Sequence, residues 1–237
     1  MESIKQWTED GYIRVSILYA FYVMISLMAT AVSYLLLENI YTIFLFSSLP
    51  VFLWIVGYLI WKREWRAFGF HLSITNRDLF LYMPLLGLLV LVGWAGFYAL
   101  DRELLMFYAL YALLTGIIQE TFFRAVLLNG LREKGRAGAV LFSSFLYTFV
   151  VWFQFWEGQG FYPVFQLVLL SFLFGVAMAQ VYLLTRNILP LIMFHCFFSY
   201  FQFISKEMSI ILTVVYVLYL VGLNVFYSIT MKKEKLA

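Results

Sequence analysis

Long apolar runs with almost no charge recur along the whole 237-residue chain, and they govern what it can fold into. A run of about 18 or more such residues marks a membrane-spanning helix rather than the core helix of a soluble domain. In hydrocarbon every backbone N–H and C=O must find a partner, which helices provide within themselves. Composition agrees: 64% of the residues are hydrophobic and 12% are charged, against roughly 25% charged in an average soluble domain.

The runs predict eight transmembrane helices, at about 13–37, 40–61, 79–100, 104–131, 138–155, 162–185, 187–204 and 209–230. The expected fold is therefore all-α, a polytopic membrane bundle forming one domain over 1–237. The first run is too long for a secretory h-region and lacks a small-residue cleavage site, so it is read as a retained span. Charge placement tests the count, because Lys and Arg gather in cytoplasmic connections when the spans alternate correctly. With an inward N-terminus, that side receives Lys5, Arg14, Lys62, Arg63, Arg66, Arg77, Arg132, Lys134, Arg136, Arg186, Lys232, Lys233 and Lys235. The opposite side receives only Arg102 and Lys206, alongside Glu38, Asp101, Glu103, Glu157 and Glu207. Both termini are thus expected in the cytoplasm.

Several features take a structural reading. Trp54, Trp61, Trp65, Trp152 and Trp156 lie near predicted helix ends and are expected to be interfacial anchors. Gly175 and Ala179 form a small-xxx-small face suited to a close helix contact. Pro190 suits the first turn of the seventh helix. The one cysteine, Cys196, excludes an internal disulfide and is expected to be a buried, inert thiol. His71, in the long connection from Lys62 to Asp78, is expected to be solvated. Nothing in the charge pattern implies a nucleic-acid partner.

Once the connections are set aside, Glu120 and Arg124 remain deep in the fourth span. Their spacing of four places them on one helical face, with the acid N-terminal to the base, the favourable order for an ion pair. A lone charge at the bilayer centre costs at least about 2.5–3.5 kcal/mol, so ionisable residues here are functional candidates by default. The adjacent Gln119 carries an amide that must face the bundle interior, and the seventh span adds His195 with Ser199 one turn later. Counted at 1.5 Å per residue, Glu120 lies roughly 17 Å and His195 roughly 12 Å from the cytoplasmic ends. A polar chamber of Gln119, Glu120, Arg124, His195 and Ser199 in the inner half of the membrane is the expectation. One carboxylate and one imidazole make a poor zinc site, so no metal and no other cofactor is assigned.

These residues resemble the CAAX prenyl endopeptidase and bacteriocin-processing family, also called the Abi or lysostaphin-resistance-A-like family. The resemblance covers about residues 68–200. A Glu-Glu-xxx-Arg motif is answered by Gln119-Glu120-Thr121-Phe122-Phe123-Arg124, and a Phe-xxx-His motif by the run from Ser143 to Val151. A His-xxx-Asn or His-xxx-Asp motif is answered by His195-Cys196-Phe197-Phe198-Ser199, after Gly175 and Thr185-Arg186-Asn187-Ile188-Leu189-Pro190. In active relatives the first glutamate and the second-motif histidine activate water, while the last histidine and its partner assist at the oxyanion. Carried across, the base becomes Gln119, its histidine partner Val151 and the oxyanion-side residue Ser199. Glu120, Arg124 and His195 match.

Glutamine accepts no proton and valine neither donates nor accepts one, and general base catalysis contributes typically about 10²–10⁴-fold. The resemblance with these losses implies a pseudoprotease that binds or regulates a membrane protein or membrane-embedded peptide. The alternative is an active intramembrane endopeptidase with a rearranged site using Glu120 and His195. A transporter is disfavoured by the absence of repeated halves with broken helices. Family habit places the chain in a prokaryotic plasma membrane.

Overall fold

The computed structural model describes residues 11–131, 135–154 and 161–236. Lys5, Arg132, Lys134, Trp156 and Glu157 lie outside them, as do the side chains of Val151, Trp152 and Lys235. Among the described residues eight helices follow one another: α1 (Gly11–Leu36), α2 (Ile40–Lys62), α3 (Asn76–Trp94), α4 (Arg102–Leu131), α5 (Arg136–Gln154), α6 (Phe161–Thr185), α7 (Leu189–Ile204) and α8 (Ile210–Leu236). Six of them are long and apolar enough to cross a membrane, and α7, at 16 residues, is a shorter apolar helix. Large apolar side chains such as Leu35, Leu53, Phe80, Val90, Met106 and Leu218 are exposed on the outside. Water would penalise that surface, whereas lipid tails match it.

Local sequence sets the helix starts. Asn39 caps α2 by accepting from the Tyr41 N–H at 2.8 Å, and Asp101 caps α4 by accepting from Leu104 N–H at 2.7 Å. Thr75 and Asp78 form a reciprocal capping box at α3. Pro190 sits in the first turn of α7, where its missing N–H has no helical partner to lose. The third helix ends earlier than the hydropathy predicts, at Trp94 instead of about 100. Gly96 there adopts φ +81°, and the chain turns back so that Tyr98 N–H donates to Ile204 O while Lys206 N–H donates to Gly96 O, both at 2.9 Å. Aromatic and aliphatic character carried the apolar run past a backbone reversal that glycine permits.

Basic residues Arg14, Lys62, Arg63, Arg66, Arg77, Arg136, Arg186, Lys232 and Lys233 fall at one end of the bundle. An Arg77–Glu234 ion pair joins the start of α3 to the end of α8 at that end. Asp101, Arg102, Glu103, Lys206 and Glu207 fall at the other. His71 is not simply solvated: it is half-buried, its Nε2 lies 3.0 Å from Arg186 O and its Nδ1 2.8 Å from Ser73 Oγ. The 63–75 connection folds back on the α6–α7 turn, where Asn187 donates to Ser73 O and Tyr182 to Phe68 O. Gly69 makes this approach possible, since a Cβ there would lie 2.7 Å from Arg186 O.

Two close helix contacts position the centre. Gly175 lets α6 meet α5, where an added Cβ would lie 3.1 Å from Tyr147 and 3.2 Å from Ser144, so the small-residue face does what its spacing suggests. Gly116 lets α4 meet α7, because a Cβ would fall 2.5 Å from Cys196 Sγ. Cys196 is half-buried in that contact rather than fully enclosed. Trp54 is also a packing residue, its ring 5.7 Å from Phe122, while Trp61 is exposed and stacks under Lys62.

Candidate functional site

The fourth helix changes character where its charges begin. Arg102–Glu120 is α-helical, and Thr121–Leu128 is a π-helical segment in which the turn widens. Such segments are frequently found at functional sites. Here the widening turns Phe122 and Phe123 into separate packing surfaces: Tyr22 stacks on Phe122 at 4.3 Å, and Tyr147 meets Phe123 edge-on at 5.4 Å. All eight residues of the segment are buried.

Glu120 and Arg124 are each 0% exposed. Arg124 Nε lies 3.6 Å from Glu120 Oε2, an ion pair beyond hydrogen-bond length. An α-helix brings positions four apart together, and the wider turn loosens that match. The shorter bond of Glu120 crosses to α7, where His195 Nδ1 lies 2.6 Å from Oε1. A carboxylate offers only lone pairs, so against it Nδ1 is the donor. Arg124 has a second neighbour that the motif reading missed: its guanidinium carbon lies 5.2 Å from the centre of the Tyr147 ring. Tyr147 also meets His195 edge-on at 6.4 Å, and Phe174 does so at 5.2 Å. The available signal was position, since Tyr147 precedes Val151 by one helical turn.

Beside this cluster is a cavity of about 590 Å³ between α1, α2, α4, α5, α6, α7 and α8. Gln119, His195 and Ser199 line it. Glu120 and Arg124 do not, and both are fully buried. The predicted chamber of five polar residues thus divides into a lining of three and a sealed pair. The cavity also extends toward the acidic end, reaching Tyr34, Tyr41, Phe107 and Gln202. It therefore occupies the half opposite the one expected from depth alone. Helix rise gave the level of Gln119 and His195 but not the direction in which the helices part.

Val151 lies in α5 with its side chain outside those described, so the second-motif position has no geometry here. Among the described residues no three His, Cys, Asp or Glu side chains gather as a metal centre would require.

No curated protein and no solved structure matches the chain. Residues 101–201 match the family model described as Rce1-like, type II CAAX prenyl endopeptidase. That interval holds Gln119, Glu120, Arg124, Val151, His195 and Ser199, the positions on which the sequence resemblance rested. Over residues 101–201, this membrane protein is thus similar to the Rce1-like, type II CAAX prenyl endopeptidase family.

Proposed function

We propose that the chain is a pseudoprotease of the prokaryotic plasma membrane, with both termini cytoplasmic, whose cavity holds a membrane-embedded peptide or the spanning segment of a partner it regulates. One observation carries this reading: the wall position of the water-activating base is an amide, Gln119, while the neighbouring carboxylate, Glu120, is sealed from the cavity and bonded to His195. A buried, doubly engaged carboxylate cannot reach a water in the cavity without breaking those contacts. Removing one member of a unit that acts together forfeits most of its rate.

A second reading rests on the 2.6 Å Glu120–His195 bond. A carboxylate that orients an imidazole supports that imidazole as a base, and His195 does line the cavity. Mass spectrometry of protein termini in membranes separates the two, comparing cells with the natural protein, a Glu120→Ala/His195→Ala variant, or no copy. The pseudoprotease reading expects equal termini in all three. Termini found only with the natural protein, and formed again by purified protein, overturn it in favour of the second reading. In the first case, Gln119→Glu with Val151→His is expected to create cleavage that the natural protein lacks.

A further inference from the structure

Among the described residues, the cavity wall contains no Asp, Glu, Lys or Arg. Arg124 is buried nearby but is closed off and faces Glu120. The one imidazole in the wall, His195, is already engaged by Glu120 at 2.6 Å, so a ligand carboxylate, phosphate or ammonium would lose its water here and gain no free counter-charge, which is the costly form of charge burial. The wall is nevertheless not hydrocarbon-like. Gln119 and Ser199 are 6% and 4% exposed, line the cavity, and have no side-chain hydrogen bond to another described residue. Ser26, Ser47 and Ser48 also line it; each donates to a carbonyl of its own helix and keeps lone pairs to accept with.

An acyl or isoprenoid chain has no use for these groups. An extended peptide does, because its backbone N–H and C=O are unpaired in a membrane unless the site pairs them. The primary amide of Gln119 has both donors and an acceptor, and so complements a peptide unit. Length agrees as well. From Phe107 to Gln119 the α4 wall rises roughly 18 Å, the reach of about five extended residues.

Resting on the peptide-chamber reading, we propose that the cavity selects an uncharged internal stretch of extended peptide, held through its backbone by Gln119, and rejects a chain terminus or charged side chain. The test uses purified protein in nanodiscs and a fluorescent pool of five-residue apolar peptides, acetylated and amidated, against the same pool with a free C-terminal carboxylate. Anisotropy is expected to show the blocked pool binding at least tenfold tighter. Gln119→Leu is expected to weaken the blocked pool about fivefold with the melting temperature unchanged. Equal or tighter binding of the free acid overturns the selection and leaves the chamber reading standing, whereas binding of neither pool overturns both. Unchanged affinity in Gln119→Leu removes the backbone role of that residue.

Discussion

Arg124 is fully buried, with none of its three guanidinium nitrogens hydrogen-bonded to a described residue. What holds it is electrostatic and aromatic: Glu120 Oε2 at 3.6 Å and the face of Tyr147 at 5.2 Å. Glu120 is therefore shared between a cation on its own helix and an imidazole on another. Glu120→Gln leaves Arg124 without its counter-charge, and breaking a buried pair this way costs about 3–5 kcal/mol. The expected outcome is a clear fall in melting temperature in detergent, with Glu120→Gln/Arg124→Met recovering much of it. Equal losses in the single and double variants would count against the pair as the source. Glu120, Arg124 and His195 were legible in the sequence because charge stands out against hydrocarbon. The 2.6 Å bond between α4 and α7 was not, since local spacing pairs Glu120 with Arg124 and says nothing of a partner 75 residues away. Nor did spacing reveal that Gln119 faces the cavity while Glu120 turns away from it.

At the scale of elements, the glycines do the positioning. Gly116 sets the separation of α4 and α7, and thereby the reach of Glu120 to His195. Gly116→Ala is expected to lower stability by about 1–3 kcal/mol, as overpacking does. Cys196→Ala is expected to relieve only part of that loss. It removes the Sγ that lies 2.5 Å from the new Cβ, but the Cys196 backbone N remains at 2.9 Å. Thermal denaturation of the two single variants and the double variant checks this. Gly69→Ala is strained in two ways, by φ +84° and by the 2.7 Å approach to Arg186 O. All eight helices were legible from hydropathy, to within a few residues at most ends. The end of α3 was not, because a reversal at Gly96 adds no charge to interrupt an apolar run. The π-helical turn left no hydropathy signal either, being a matter of which neighbours fill the space around Phe122 and Phe123.

For the whole molecule, the segregation of basic and acidic ends is the strongest constraint on orientation. In the proposed orientation, a single cysteine at Arg63 in a Cys196→Ala background is expected to react with an impermeant maleimide only after the membrane is opened. A cysteine at Lys206 is expected to react in intact cells. The reverse pattern would invert the bundle and place the cavity in the other leaflet. The number of helices was readable because long apolar runs stand apart from the charged connections; the cavity was not, because it forms where helices from distant parts of the chain part company.

The two helices joined by the Glu120–His195 bond differ greatly in reach. At 1.5 Å per residue, the 30 residues of α4 extend about 45 Å and the 16 of α7 about 24 Å. A typical hydrocarbon layer is about 30 Å thick, so one helix overshoots it and the other falls short. Met193 and Phe197 turn outward from α7, and lipids beside them must thin or splay to meet its ends. The acyl-chain length of the host membrane thus becomes a mechanical load on the bond between acid and imidazole, lighter in thin bilayers and heavier in thick, sterol- or long-chain-rich ones.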